Sequence, residues 1–423
     1  MSIVFLGMPS NWFFLLFVCL FFAYEILENG LILLNNFHIK KNRSHLPTYF
    51  IDKIKFADFQ KSIYYTLEKN RFALVWNLIK IPFLWGAIGL GLFDLFDAVL
   101  GLWLKEGTIV FSVAYCLIFA FVLLVLQVPA GLYSNFVIEK KYGFNKMTLR
   151  LFFIDLIKGI FLGALFGIPL FYLLFWLYQK MGTTWWIYGF ATVFVFQLFL
   201  ATIYPTFLAP LFNKFTPLED GPLKEAIYEN AKKIDFKMSG IYTIDGSKRS
   251  SHSNAYFAGM GRFRRIVLFD TLSKQMTQDE IISVLAHEMG HNKKRHIQKQ
   301  LVYSLIITLA GFWVLSLLIG WQPFYNAFEA GSPAPHKAFV LFPLFSGYIT
   351  FILTPFENWL SRKYEYESDR FSIEVTGNAA SMKSALVNLT KKNLSNLIPH
   401  PLYSFFHYSH PTTLERVNAL DRG

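Results

Sequence analysis

Residues 108–133 read TIVFSVAYCLIFAFVLLVLQVPAGLY, an apolar run without a charged residue. A helix that crosses a bilayer needs about 20 consecutive, mostly apolar residues, so this run is long enough to span a membrane. Six further runs of the same kind occur in the chain, and we therefore predict a mainly α-helical protein built on a seven-helix transmembrane bundle. The predicted spans lie near residues 11–33, 72–94, 108–133, 151–178, 185–210, 301–321 and 338–360.

The composition supports a membrane protein. Of the 423 residues, 54% are hydrophobic and only 16% are charged, whereas soluble domains carry about 25% charged residues. So few charges cannot cover a water-exposed surface of this size, which excludes an ordinary cytosolic enzyme, a disordered protein and a secreted disulfide scaffold. The two cysteines, Cys19 and Cys116, lie inside apolar runs and lack the spacing of a redox or zinc-finger motif.

The distribution of basic residues predicts the orientation of the bundle. Loops 34–71 and 134–150 are rich in Lys and Arg, whereas the alternate loops carry only Lys105, Lys180 and Lys337. The positive-inside rule places the basic loops, and with them residues 211–300 and the C terminus, in the cytoplasm. The net charge of +12 is then an orientation signal. We predict no nucleic-acid partner, because the basic residues do not form one polar face interleaved with aromatic side chains.

The polar stretch 211–300 has the pattern of a small α+β unit. Its apolar spacing predicts an amphipathic helix over 222–234. A strand is predicted over 240–245, followed by a hairpin of strands 254–259 and 264–269. Thr277 and Glu280 then form a capping-box pattern that opens a helix at about residue 278.

That capped helix contains the sequence His-Glu-Met-Gly-His at residues 287–291. The i, i+4 spacing puts His287 and His291 on one helix face, close enough to bind one metal ion. Catalytic zinc has three protein ligands and an open position for water, and Glu288 could take a proton from that water. The alternative is a surface helix with two solvated histidines.

A third ligand is available downstream, after the last predicted span. Glu365 and Asp369 are again four residues apart on a predicted helix. One carboxylate can bind the metal, and the other can accept a hydrogen bond from the outer N–H of a ligating histidine. Glu367 lies on another face of the helix and is predicted to be a solvated charge. We also predict surface positions for His252 and His296.

The spacing places the metal close to the membrane. His291 precedes the sixth span by ten residues, about 15 Å of helix, and Glu365 follows the seventh by about five residues, roughly 8 Å. We therefore expect both ligand helices to continue membrane spans or to be closely joined to them.

These motifs together resemble those of type I CAAX prenyl proteases, which are integral-membrane zinc metallopeptidases of the gluzincin group. The resemblance covers nearly the whole chain, with one departure at Ser368, where the family usually has Ala. Besides His-Glu-Met-Gly-His and the Arg362–Asp369 segment, it rests on EKKYGFNKMT at 139–148, APLFNKFTP at 209–217, SHSNAYF at 251–257, IVLFDTL at 266–272 and HYSHP at 407–411 with Glu415 and Arg416.

The resemblance implies a bundle that encloses a chamber, with a zincin-like α+β module on its cytoplasmic side. It implies one zinc ion per chain, and a peptide or protein substrate that carries a C-terminal prenyl group in the family. The roles it implies are zinc ligation by His287, His291 and Glu365, general base catalysis by Glu288, oxyanion stabilisation by His410 and backbone contact by Asn254.

Some roles remain open at this stage. Arg416 can pair with Glu365, with Asp369 or with solvent, Tyr256 can line the cleft or face the core, and Asn254 can be a turn residue. The expected division is 1–210 for transmembrane helices 1–5, 211–300 for the catalytic module, 301–360 for helices 6 and 7, and 361–423 for the C-terminal segment.

Three other hypotheses concern function and location. The peptidase can serve membrane-protein quality control without any need for prenylation. A transporter or receptor with a structural metal is supported only by charges at membrane depth, namely Glu25, Asp94, Asp97 and Asp155. The expected membrane is a bacterial plasma membrane or the endoplasmic reticulum, and the end Leu420-Asp-Arg-Gly, without a dilysine, slightly favours the former.

Overall fold

The computed structural model describes residues 12–258 and 265–422. Seven of its helical stretches are long and apolar enough to cross a membrane, which confirms the predicted bundle. In chain order the first eight helices are α1 Trp12–Asn42, α2 Phe56–Gly89, α3 Leu92–Gly101, α4 Ile109–Tyr133, α5 Lys140–Tyr142, α6 Leu149–Lys180, α7 Trp185–Ile203 and α8 Ala209–Phe212.

The remaining helices belong to residues 211–423, which contain the predicted catalytic module and the two last spans and are called the catalytic half below. They are α9 Pro222–Lys233, α10 Asp270–Gln275, α11 Gln278–Lys293, α12 His296–Leu318, α13 Gln322–Asn326, α14 Pro335–Thr376, α15 Ala379–Lys392, α16 Pro401–His407 and α17 Thr413–Asp421. The predicted amphipathic helix 222–234 corresponds to α9.

The second span differs from its predicted bounds of 72–94. Helix α2 already begins at Phe56, so Lys61, Lys69 and Arg71 lie on a helix and not in a loop. It ends at Gly89, because Gly91 adopts a left-handed conformation (φ 59°) and starts the separate helix α3. An apolar run marks only the part of a helix that lies in lipid, and the backbone hydrogen bonding of α2 continues well beyond it.

The four acidic residues expected at membrane depth all have protein partners. Lys337, which is almost fully buried, places its Nζ atom 2.6 Å from Asp94 and 2.7 Å from Asp97. These contacts compensate the buried charge of Lys337. A structural role is therefore enough to explain Asp94 and Asp97. The other two pairs are Asp155 with Arg249, at 2.8 Å, and Glu25 with Asn29, at 3.0 Å.

The small sheet of the catalytic half has four strands in the order β1-β2-β4-β3. They are β1 Phe215–Pro217, β2 Gly240–Ile244, β3 Ala255–Ala258 and β4 Arg265–Phe269. The predicted strand 240–245 and the antiparallel pairing of the predicted hairpin are present, while the hairpin turn at 260–263 lies outside the described residues. Strand β1 was not predicted, since three residues are too few to show a pattern. Strand β3 forms an edge of the sheet.

Helix α11 lies between this sheet and α14. Its first turn is closed by the predicted capping box, in which Thr277 and Glu280 each bond the other's backbone N–H. Apolar side chains on one face, including Ile281, Leu285 and Met289, pack in one core with residues of the sheet and α14. This packing fixes the rotation of α11 about its axis, so that His287 and His291 face Glu365 on α14.

Both ligand-bearing helices are joined to membrane spans as the spacing predicted. Helix α14 is continuous from Pro335 to Thr376, so Glu365 lies on the prolongation of the seventh span. Helix α11 ends at Lys293, and after Arg295 the sixth span begins directly with α12. The catalytic half and the bundle therefore share two helical connections.

Candidate metal centre

Three side chains direct donor atoms toward one point between α11 and α14. The Nε2 atoms of His287 and His291 lie 3.2 Å apart. Glu365 places Oε1 3.2 Å from His291 Nε2 and Oε2 3.5 Å from His287 Nε2. Atoms bound about 2.0–2.2 Å from a tetrahedral zinc ion lie about 3.3–3.6 Å from one another. The separations of these three donors therefore fit one small divalent cation.

The chemistry of the donors agrees with that geometry. Glu365 is 4% exposed, and its Oε2 atom is buried without a hydrogen-bond partner among the described residues. The guanidinium of Arg416 lies 3.1 Å from this oxygen, and a bound cation would supply a second positive charge to the buried carboxylate. Two imidazoles and one carboxylate leave a tetrahedral ion one open position, which is the arrangement of a catalytic site.

The outer nitrogen of His287 is held by a carboxylate. His287 Nδ1 lies 2.8 Å from Oδ1 of the buried Asp369. Burial alone would lower the pKa of His287, but the hydrogen bond to Asp369 together with the negative charges of Asp369 and Glu365 outweighs it, and the pKa is raised. Because Nδ1 donates this bond, the Nε2 lone pair is directed at the metal position.

Arg416 connects the two carboxylates on α14. Its Nε atom donates to Asp369 Oδ2 at 2.8 Å, and Nη1 lies 3.1 Å from Glu365 Oε2. Arg416 comes from α17, whose first turn is fixed by a second capping box of Thr412 and Glu415. The C-terminal helix thus delivers a cation that balances the buried negative charge of the site.

The metal position opens into a cavity of about 440 Å³. Glu288 lines it one helix position after His287, and burial raises the pKa of this carboxyl. A carboxylate with a raised pKa is a better proton acceptor than an ordinary one. Of the nine site residues predicted from the sequence, eight line this cavity, and Asp369 lies behind His287. The eight are Asn254, Tyr256, His287, Glu288, His291, Glu365, His410 and Arg416.

One wall of the cavity is the edge strand β3. Asn254, just before the strand, is exposed, and its Oδ1 accepts a hydrogen bond of 2.8 Å from the N–H of Ala255. Tyr256 is half-buried, and burial raises its pKa to about 12, so the phenol stays protonated. No described strand pairs with the outer side of β3, and an extended peptide can add to such an edge.

His410 reaches the cavity from the loop between α16 and α17. Its Nε2 atom lies 3.4 Å from Glu365 Oε1, and its Nδ1 atom lies 3.0 Å from the Ser409 hydroxyl. The side chain remains 64% exposed because it borders the open part of the cavity. Its position allows a ring N–H to face a substrate oxygen beside the metal position.

The prediction for His296 was wrong, and the prediction for Glu367 holds only in part. His296 is 1% exposed rather than at the surface, and its Nδ1 atom lies 3.1 Å from Nδ1 of His291. Its Nε2 atom lies 3.0 Å from Glu367, so the Glu367 charge is paired, although its side chain is still 32% exposed. Residues five apart on a continuous helix point about 140° away from each other, so the sequence pattern gave no signal for the contact with His291.

His252 is likewise not a free surface residue. Its ring stacks on Phe144 with centroids 3.9 Å apart, and its two nitrogens face Asn393 at 3.1 Å and Glu139 at 3.3 Å. His252 lies two residues before Asn254. It ties the segment that leads into β3 to the π-helical end of the third span and to the C-terminal end of α15.

A larger polar cavity of about 860 Å³ adjoins the metal site and shares His410 and Arg416 with it. Side chains from α2, from the π-helical continuation of α4 (Ser134–Glu139) and from the end of α15 line it, among them Thr66, Asn135 and Asn393. The space lies between the membrane helices and the catalytic half. It gives the metal site a second polar approach from inside the protein.

A bundle of seven apolar helices joined to a two-histidine, one-glutamate cluster with an adjacent Glu288 defines an integral-membrane metallopeptidase. Family models agree with that class. Residues 35–214 match the CAAX prenyl protease N-terminal domain of five membrane helices, and residues 217–423 match peptidase family M48. The chain belongs to the CAAX prenyl proteases of this peptidase family.

Individual relatives are similar over most of their length. The chain is 38% identical over 411 residues to CAAX prenyl protease 1 of Saccharomyces cerevisiae, with 90% of each chain covered. It is 34% identical over 437 residues to a CAAX prenyl protease 1 homolog of Homo sapiens, again with 90% of each covered. The crystal structure of S. mikatae Ste24p superposes with a TM-score of 0.89 at 33% identity and covers 98% of this chain and 100% of that one. The predicted family, fold class and enzyme class are confirmed.

Proposed function

We propose that the chain is a zinc endopeptidase that hydrolyses a peptide bond near the C terminus of prenylated proteins at the membrane surface. The observation that carries the proposal is the triangle of His287, His291 and Glu365 beside Glu288, which opens into a cavity bounded by a free strand edge. The names of the relatives support the choice of CAAX substrates.

In this proposal His287, His291 and Glu365 hold one zinc ion per chain. A bound zinc ion would polarise the scissile carbonyl and acidify the attacking water. Glu288 takes the proton from that water and passes it to the leaving amine. His410 donates a hydrogen bond to the oxygen on which negative charge develops.

The remaining predicted residues hold the reactants in place. Asn254 and the edge of β3 hydrogen-bond the substrate backbone, while Tyr256 lines the same wall. Asp369 and Arg416 hold His287 in the tautomer that binds a metal through Nε2. No residue in this set has to change its partner before a substrate binds.

The position of the site explains why a prenylated substrate would reach it. Each buried CH₂ group of a lipid chain contributes about 0.8 kcal/mol to membrane binding, so a prenyl group holds the substrate C terminus at the bilayer surface. Glu365 lies on the prolongation of a membrane span and α11 is joined directly to another. In this proposal the site faces the cytoplasm, as the positive-inside rule predicts from the basic loops, and the membrane is a bacterial plasma membrane or that of the endoplasmic reticulum. We also propose that the chain is organised in four functional parts, whose boundaries follow residues 210, 300 and 360.

The test uses the purified full-length protein with two matched peptides that end in the same sequence and differ only in a prenyl group on the cysteine. We expect one bound zinc ion per chain by elemental analysis and clearly faster cleavage of the prenylated peptide, at a bond close to the C terminus. A chelator should stop both cleavages, and added zinc should restore them. Equal rates for the two peptides would refute the preference for prenylated substrates and favour a quality-control protease. Cleavage by metal-free protein would refute the zinc mechanism.

A further inference from the structure

We infer that His296 and Glu367 form a hydrogen-bonded relay that orients His291 as a metal ligand. The inference rests on the metal site proposed above and adds two positioning residues to it. Neither residue lies among the three donors, and neither has a role in the proposed proton transfers. The argument starts from the two nitrogens of the His291 ring.

The His291 ring has a different neighbour at each nitrogen. Its Nε2 atom faces the donor triangle, at 3.2 Å from both His287 Nε2 and Glu365 Oε1. Its Nδ1 atom faces away from that triangle and lies 3.1 Å from Nδ1 of His296. A neutral imidazole that binds a metal through Nε2 carries its proton on Nδ1. The contact with His296 is therefore the position in which that proton must be accepted.

The protons along the chain of rings can be assigned without conflict. If His291 Nδ1–H donates to His296 Nδ1, then His296 carries its own proton on Nε2. That N–H points at Glu367 Oε2, 3.0 Å away, and a carboxylate accepts it. Every donor in the sequence His291, His296, Glu367 thus has an acceptor, and the metal-facing Nε2 of His291 stays unprotonated.

The structure holds His296 rigidly enough for this task. Its side chain is 1% exposed, and its ring stacks on Tyr364 with centroids 4.2 Å apart and planes 12° from parallel. Tyr364 directly precedes the ligand Glu365 on α14. A displacement of His296 would therefore have to disturb the same helix that supplies the third donor.

A break in the helix brings the two rings together. Arg295 adopts a left-handed conformation (φ 58°) between α11 and α12. This conformation is strained for a residue with a side chain and persists only where the surrounding structure enforces it. It turns the first residue of α12 back toward the last turn of α11, so that His296 reaches His291 despite a sequence separation of five.

The two histidine ligands are consequently supported in different ways. His287 donates to a buried carboxylate, Asp369, which is balanced by Arg416. His291 donates to a neutral ring, and the carboxylate at the end of its relay, Glu367, is 32% exposed. The negative charge of Glu367 is thus partly solvated. It is also separated from His291 by the ring of His296, whereas Asp369 contacts His287 directly. We therefore expect Glu367 to contribute less to metal affinity than His296.

The test measures zinc affinity, by competition with a chromophoric chelator, in the full-length protein in detergent. Loss of an outer partner of a ligand typically weakens metal binding 10–100-fold, and we expect a loss in this range for His296→Phe, which keeps the stacking on Tyr364 but has no acceptor. His296→Asn restores an acceptor close to the Nδ1 position and should recover part of the loss. Glu367→Gln should bind zinc measurably more weakly, though by less than about 10-fold, since an amide oxygen still accepts the bond but the negative charge is lost.

Two controls separate the relay from general effects. His45→Phe and Glu374→Gln change exposed residues of the same types, and both should keep the wild-type zinc affinity. Glu367→Gln should not change the melting temperature of the metal-free protein. If His296→Phe does not fold, the zinc affinity of Glu367→Gln therefore decides whether the relay exists.

A reference variant distinguishes failure of the relay from failure of the metal site. His291→Ala should lose zinc altogether. If it does, and His296→Phe and Glu367→Gln both keep wild-type zinc affinity, the relay is refuted while the metal site stands. If His291→Ala itself keeps wild-type affinity, the assigned metal site is wrong and the relay falls with it.

Discussion

Asp369 Oδ1 lies 2.8 Å from Nδ1 of His287, and both side chains are buried against the contact between α11 and α14. The pair joins the helix of the His-Glu-Met-Gly-His motif to the prolongation of the seventh span. It also determines which nitrogen of His287 is free to bind a metal. The arrangement of the metal site therefore depends on how a membrane helix is positioned.

Asp369→Asn should weaken metal binding without preventing it. The amide oxygen still accepts the bond from His287, but the negative charge that raises the electron density of the ring is lost, and Arg416 keeps only one of its two carboxylate partners, Glu365. Loss of such an outer carboxylate typically costs 10–100-fold in metal affinity. Chelator competition measures the change. Asp52→Asn, at an exposed position, is the matched control, and an unchanged affinity in Asp369→Asn would contradict the assigned role.

Glu288→Gln should separate metal binding from catalysis. The amide fills the same space beside His287 but cannot accept a proton from water, so kcat should fall about 10²–10⁴-fold, the usual contribution of a general base. Zinc content, measured by elemental analysis, should stay at one ion per chain. Glu229→Gln on the exposed face of α9 serves as the control. Retained cleavage in Glu288→Gln would exclude this residue as the base.

Asn254→Asp tests the contact with the substrate backbone. The carboxylate keeps the acceptor that binds the Ala255 N–H, so the start of β3 is preserved, but the NH₂ donor is lost. One neutral hydrogen bond contributes about 1 kcal/mol, and kcat/KM should therefore fall about fivefold. Zinc affinity and melting temperature should not change. A variant with wild-type kcat/KM would place Asn254 in a turn role alone.

The parts of the fold that the sequence predicted follow from local patterns. The seven spans require only runs of apolar side chains, and the pairing of His287 with His291 requires only helical periodicity. The segment 254–269 contains two short runs rich in apolar and aromatic residues, which are enough to predict its two strands. These features are properties of neighbouring residues, and the rest of the structure does not alter them.

The features that were missed depend on where separate segments meet. Nothing around Arg295 in the sequence predicts a left-handed residue, so the contact between His291 and His296 was not foreseen. Strand β1 forms only because Phe215–Pro217 meets β2, and α2 extends below its apolar part because Phe59 and Ile63 pack in a cluster with Ile39 and Val387. Such long-range contacts cannot be deduced from periodicity.

Gly290→Ala tests whether the close approach of α11 and α14 sets the geometry of the metal site. A Cβ atom at Gly290 would lie 3.1 Å from the Cα atom of Ser368 and 3.1 Å from a ring carbon of Phe371. Backbone cannot yield as a flexible side chain does, so the helices must separate by a few tenths of an ångström. Overpacking of this kind costs about 1–3 kcal/mol, and the melting temperature should fall accordingly.

The same substitution should also weaken zinc binding, because Gly290 precedes His291 on α11 while Ser368 follows Glu365 on α14. A separation of the helices lengthens the distances between the histidine nitrogens and the carboxylate, which now fit one ion. Gly347→Ala is the control, since a Cβ atom there has no neighbour within 4 Å on the same long helix α14. It should leave stability and zinc affinity unchanged. If Gly290→Ala lowered the melting temperature but kept wild-type zinc affinity, the donor spacing would be set by the outer hydrogen bonds of the histidines and not by helix contact.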